Sequence, residues 1–264
     1  FALGTSIDST HYFRMGLSDF YNFGMRLSSF KPDLIMYYKY KRGNLLGIFG
    51  AFPQMGMLKA PRAMISDIHH YYNPTIEGIL LQYKTENWDQ LIYVDWLNSQ
   101  DSLTKEQILF AGEGQFKFGK FSVEDYWQIF HDGYTSNHTG SIHDYMGMLV
   151  MFGYDMNHLF PLDKFTFKTG VMHSLYRDRA LYNDFDLNFS SYSELCAEYR
   201  FVGLKSIFNI GQSHMFYLGD LFFRNTTNYS RTDFYITPIK TKNVILQFTW
   251  SIHVANGDYD NQQM

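Results

Sequence analysis

The sequence predicts an all-β fold: a transmembrane, antiparallel, up-and-down β-barrel of about 14–16 strands, with short periplasmic turns and longer extracellular loops. Three observations predict it. First, the segment Val244–Val254 alternates strictly, with Val244, Leu246, Phe248, Trp250, Ile252 and Val254 on one face and Ile245, Gln247, Thr249, Ser251 and His253 on the other. A period of two with a wholly apolar face places a strand between two unlike media. Second, aromatic residues make up 19% of the chain. That excess suits the interfacial girdles of a membrane barrel, where one end of a ring is wet and the other apolar. Third, no apolar run approaches the roughly 20 residues that a transmembrane helix requires, and only helices and closed barrels satisfy their backbones within lipid. The chain, residues 1–264, is read as a single outer-membrane β-barrel domain of a Gram-negative bacterium.

Alternation and punctuation mark the strands in order. Segments 1–8 and 11–20 are joined at Asp8-Ser-Thr10, 32–41 and 44–52 at Arg42-Gly43, and 76–85 and 89–97 at Glu86-Asn-Trp88. Segments 106–117 and 120–131 meet at Phe118-Gly119, 144–155 and 164–176 across the longer Met156–Asp163, 191–201 and 204–212 at Val202-Gly203, and 231–241 and 243–255 at Thr241-Lys242. Long connections near 21–31, 53–75, 98–105, 132–143, 177–190 and 213–230 lie at the opposite end. Short turns on one side and long loops on the other are the habit of outer-membrane barrels. Within 53–75, Pro61–His70 predicts about two helical turns, because Pro61 suits an early helical position. Asp125 falls on the lipid side of its strand, so a β-bulge or a protein neighbour is expected there. Pro238 removes a ladder donor, so a bulge or frayed edge is expected within 231–241.

Parity sharpens the count. Strand 243–255 runs outward and must be followed by a returning strand, while strand 1–8 runs inward and should be preceded by an outward one. About 16 strands are therefore expected, on the even-number rule, with residues missing at both termini and Phe1 inside a processed chain. A closed barrel of 14 is the alternative.

The inward positions are Arg14, Lys39, Gln82, Asp95, Glu113, Gln115, Glu124, Lys168, Glu194, Glu198 and Arg200, which would line a pore or pair across it. Cys196 shares that face; a single cysteine permits no internal disulfide and no zinc-type spacing. With a net charge of −4 and no basic stripe, nucleic acid is not expected as a partner. No cofactor is expected. The densest polar cluster is His131–Asp144, where Ser141, His138 or His143, and Asp132 or Asp144 supply the residue types of a rim-sited hydrolase. No nucleophile-elbow pattern accompanies them. The neighbouring His69 and His70 would diverge on any regular element and make a weak metal site.

Several stretches carry a resemblance. Pro61-Arg-Ala-Met-Ile-Ser-Asp67, Tyr71-Tyr-Asn-Pro-Thr-Ile-Glu-Gly78-Ile-Leu-Leu-Gln-Tyr83, Gly219-Asp-Leu-Phe-Phe-Arg224, Tyr229-Ser-Arg-Thr-Asp-Phe234 and Asp260-Asn-Gln-Gln-Met264 resemble an uncharacterised group of Bacteroidota outer-membrane β-barrels. The resemblance implies location and fold and transfers no functional residue; it makes Asp260–Met264 the start of a closing strand. Three functions follow as expectations. The favoured one is a channel for small polar solutes, since a wide polar lumen is the default of large barrels. The others are an accessory subunit of a larger outer-membrane complex and a hydrolase of lipid or ester at the 131–144 rim. Outer-membrane lipid is the expected partner throughout, joined in the second case by other subunits.

Overall fold

The computed structural model describes residues 2–18, 33–54, 56–241 and 244–263. Its strands are β1 (Ala2–Ser6), β2 (His11–Ser18), β3 (Asp33–Arg42), β4 (Leu45–Pro53), β5 (Thr75–Lys84), β6 (Trp88–Asn98), β7 (Gln107–Phe118) and β8 (Phe121–Asp132). They continue as β9 (His143–Asp155), β10 (Lys164–Asp178), β11 (Asp186–Tyr199), β12 (Val202–Gly211), β13 (Asn228–Lys240), β14 (Ile245–Ala255) and β15 (Asp258–Gln263). All fifteen form one antiparallel sheet in strict sequence order. Each of the fourteen expected segments corresponds to a strand. The expected loop over 21–31 and the turn residue Lys242 lie outside the described residues. β15 is the additional strand, antiparallel to β14, where the returning strand was expected. No helix of the described residues is long and apolar enough to cross a membrane.

The alternation that predicted the strands also sorts their faces. In β8, Glu124, Tyr126, Gln128, Phe130 and Asp132 are buried while Phe121 and Ile129 are exposed. In β6, Leu91, Tyr93 and Asp95 are buried while Trp88, Ile92 and Trp96 are exposed. The outer side thus presents a broad apolar surface, with Phe49, Phe152 and Phe248 each more than 60% exposed.

The sheet curls around two of its own long connections. Residues 57–65 reach from β6 and β7 across to β13: Lys59 Nζ lies 3.3 Å from Asp89, the Lys59 amide donates to Glu113 Oε2 at 2.8 Å, and Arg62 Nη1 lies 3.7 Å from Asp233. The connection between β12 and β13 carries a short 3-10 turn, Leu221–Phe223, and enters beside it. The two are tied by Ser66 N to Leu218 O at 2.8 Å and Asp220 N to Arg62 O at 2.9 Å. Met64, Ile65, Phe216 and Phe223 are almost fully buried against Phe52, Ile76, Leu109, Phe130 and Leu149. Phe216 fits because β9 has Gly147 beneath it; a Cβ there would stand 2.0 Å from the ring. The interior at the loop end is therefore an apolar core, where a wide polar lumen was expected. Desolvating these side chains inside the curl stabilises by roughly 1.5–3 kcal/mol each.

Towards the short-turn end the interior turns polar. Two cavities of about 340 and 400 Å³ share Gln115, Glu124, Lys168, Glu194 and Lys205. Their charges are paired, with Lys168 to Glu124 at 2.7 Å, Lys205 to Glu194 at 3.5 Å and Lys164 to Glu198 at 3.3 Å. These pairs run along the wall, between β10 and β8 on either side of β9 and between neighbouring strands β10–β11 and β11–β12. Of the inward positions, Asp95, Glu113 and Glu124 are buried, Lys39, Gln82, Gln115, Lys168, Glu194 and Glu198 are half-buried, and Arg14 is exposed. Arg200 is a correction: β11 ends at Tyr199, and Arg200 sits in the turn at φ 55° with its guanidinium over the Tyr199 ring.

Two local expectations resolve differently, and a third holds. The helix of the 53–75 loop is α1 (Asp67–Tyr72), later than Pro61–His70, because Pro61 instead opens a turn that Met64 N and Ile65 N close onto its carbonyl. Ser66 caps α1 by accepting from His69 N. Asp125 keeps a regular register with both neighbours; in place of a bulge, its carboxylate accepts from Gln90 at 3.4 Å above the side-chain-free Gly114. At Pro238 the β13–β14 register does shift, between Ile236 and Ile239.

Candidate active site on the outer wall

The loop ends of β8, β9 and β10 bring six polar residues into two rows. The register pairs His131 with Asp144 and Asp144 with Arg177; one residue further on it pairs Asp132 with His143 and His143 with Asp178. Adjacent strand residues point to opposite faces. One row therefore faces outward, continuing the apolar positions Ile129, Met146 and Leu175, and the other faces the interior.

In the outer row His131 Nδ1 lies 3.2 Å from Asp144 Oδ1. A carboxylate only accepts, so Nδ1 carries a proton and Nε2 is left for a second partner. That is the only hydrogen bond of the His131 ring among the described residues, and the side chain is 35% exposed. Asp144 also accepts from Arg177 Nη2 at 2.7 Å, Arg179 Nε at 2.7 Å and Arg179 Nη2 at 2.9 Å. Arg177 is braced by the Phe185 ring 4.3 Å away. The Asp144 hydrogen bonds hold the Arg179 guanidinium still further above its ordinary value. Two guanidiniums against one carboxylate leave this stretch of wall positive.

The inner row is closed on itself. His143 Nδ1 lies 3.1 Å from Asp132 Oδ2 and Nε2 lies 3.3 Å from Asp178 Oδ2. Lys105 Nζ reaches Asp132 Oδ2 and the Ser141 carbonyl, each at 2.8 Å. The Ser141 hydroxyl donates to Asp178 Oδ1.

The structure thus divides the residues that sequence proximity grouped. Ser141 and His143 share one carboxylate, Asp178, without touching each other. Asp144 faces away from both, and His138, at φ 54°, stands over Tyr134 in the loop. Sequence reasoning passed over His131, Arg177 and Arg179 as site residues. Parity alone could have placed His131 and Asp144 on the outer face, two positions past Ile129 and Met146; the register that joins them is not written in either segment.

A family model described as lipid A 3'-O-deacylase-type matches residues 1–259. The chain belongs to that family. A comparison with curated proteins finds no match. Membership of the lipid A 3'-O-deacylase-type family replaces an uncharacterised group of barrels by one whose name carries an activity, and it favours the hydrolase expectation over the channel. Among the described residues no group of His, Cys, Asp and Glu is arranged to hold a metal ion. His69 bonds Asn73 and His70 bonds Gln54.

Proposed function

We propose that the chain is a closed outer-membrane β-barrel of a Gram-negative bacterium. On its outer wall it hydrolyses an ester-linked acyl chain of lipid A, with His131 as general base and Asp144 as the group that orients it. The observation that carries this reading is the His131–Asp144 pair on the wall side of β8 and β9, at the edge of the apolar surface. The family supplies the substrate, and the exposed apolar outer face suits a lipid surrounding. Loops of such barrels face the exterior, so the pair stands at the level of the outer leaflet's headgroups. The excess positive charge of Arg177 and Arg179 favours an anionic lipid whose phosphates can be met by guanidinium forks. A conduit through the interior is disfavoured by the core that fills its loop end.

A positioned base of this kind contributes roughly 10²–10⁴-fold. The test is acyl-chain release from lipid A in mixed micelles by the purified, folded protein, read by mass spectrometry. His131→Ala should lower the rate by on the order of 10²-fold or more. Equal release by the two proteins overturns the reading.

A further inference from the structure

The short-turn end of β12–β14, four strands on from β8 in the sheet order, carries a groove of about 510 Å³ on the outer wall. Its sides are Val202, Phe234, Ile236, Phe248 and Trp250, all exposed. Gln247 and Thr249, which also border it, bond each other at 3.0 Å. The groove lies beside the register shift between Ile236 and Ile239, and a bulge bends its strand there. Water gains nothing in an apolar hollow on a wall that faces lipid, so a hydrocarbon chain fills it.

A cation stands beside this groove. One row of the register runs Tyr199, Val202, Ile236, Phe248, and neighbours in such a row are about 5 Å apart. Arg200 follows Tyr199 in the turn, and its guanidinium lies 5.1 Å from the centre of the Tyr199 ring. Asp163 accepts from the Arg200 amide and leaves the side chain alone. The guanidinium makes no hydrogen bond or ion pair among the described residues, so its fork of donors is open to a phosphate. Short turns of such barrels face the periplasm, which sets the groove in the inner leaflet. We propose that the groove and Arg200 together bind one anionic glycerophospholipid of that leaflet, with a tail along Ile236, Phe248 and Trp250 and the phosphate on the guanidinium. The lipid is held and not cleaved, since His131 stands at the opposite end of the wall. The site needs a wall that faces lipid and nothing of the proposed hydrolysis.

The test compares two proteins in phosphatidylcholine bilayers, each keeping one tryptophan, with phenylalanine at the other three positions. One keeps Trp250, in the groove; the other keeps Trp88, exposed at the short-turn end of β6. Brominated lipids quench a tryptophan that they touch, so brominated phosphatidylglycerol against brominated phosphatidylcholine gives the relative affinity at each place. Trp250 should favour phosphatidylglycerol roughly fivefold or more, and Trp88 less than about twofold. Arg200→Asn drops the charge and suits the left-handed turn at φ 55°; it should bring Trp250 down to the Trp88 level, and Arg200→Lys should restore most of the preference. Equal preference at Trp250 and Trp88, or one that survives Arg200→Asn, overturns the proposal. So does a Trp250 that neither lipid quenches, the outcome if a second copy of the chain covers the groove. Native mass spectrometry of the wild-type chain, with all its tryptophans, reads the same site: one phosphatidylglycerol should stay bound and be lost in Arg200→Asn. A wild type released bare overturns the proposal as well.

Discussion

The two faces of one strand triplet carry the same residue types to opposite ends. On the outer face of β8–β10 a histidine meets one carboxylate and keeps a ring nitrogen open to its surroundings. On the inner face His143 meets two carboxylates, one on each nitrogen, and has none to spare. Outside, guanidiniums neutralise the carboxylate and leave the histidine half-exposed; inside, lysine and serine close the network. A histidine beside an aspartate is a base only where its second nitrogen is left over. The inner row, with the core beneath it, is a closed network; the outer row is where the proposed chemistry stands.

The largest effect that could break this contrast comes from the carboxylates. Asp144→Asn removes the acceptor that fixes the His131 tautomer and should lower acyl release about as far as His131→Ala does, on the order of 10²-fold or more, whereas Asp178→Asn should lower it less than about tenfold. Similar losses from both would erase the distinction between the rows. Next comes Phe216→Ala, which empties a buried site and should cost about 3–5 kcal/mol in denaturant unfolding from detergent. Acyl release per folded molecule should hold, since the ring packs on the inner face of β9 at Gly147, opposite to the face that carries His131 and Asp144.

The interior should also respond to acid. His214 in the connection between β12 and β13 is held between Ser174 and Ser190 hydroxyls at 2.9 and 2.7 Å. Ser190 donates to Asn209 Oδ1 at 2.6 Å, so it accepts from His214 Nε2, and Nδ1 accepts from Ser174. Burial, with His173 nearby, pushes the His214 imidazole down from its ordinary 6.5 to about 4. The folded state binds the proton less well than the unfolded one, so its contribution is complete above pH 6.5 and is lost as pH falls towards 4. The loss is about 3 kcal/mol at most. Hydrogen exchange of residues 213–223 should quicken across that window, and His214→Gln should flatten the dependence. A flat wild-type profile would remove His214 as the group that anchors this connection. The smallest effect expected is that of Arg179→Ala, which should raise KM for lipid A severalfold and weaken its salt dependence, leaving a neutral ester less affected. Equal changes for both substrates would detach the guanidinium from anion recognition.

Strand by strand, the fold was legible because each side chain reports its own face. β6 and β8 show it plainly, and Pro238 marked its bulge through a missing donor. The filled interior was not legible: Met64, Ile65 and Phe216 are apolar in long connections, and nothing local says whether such residues cap, pack on a rim or turn inward. Arg200 was misplaced because parity carried the strand one residue beyond its left-handed turn. The site was half legible. Ser141, His143 and Asp144 caught attention through proximity in the chain, but a β-sheet joins residues through register. That is how His131, thirteen positions from Asp144, came to stand beside it as the proposed base.

The alternating rows also make the site a check on assembly. Sliding β8 against β9 by one residue would set His131 opposite a neighbour other than Asp144 and turn the whole strand's apolar side towards the wrong medium. On the proposed reading a misthreaded chain therefore loses its base in the same stroke as its footing in the bilayer, and cleavage competence doubles as a certificate of correct insertion.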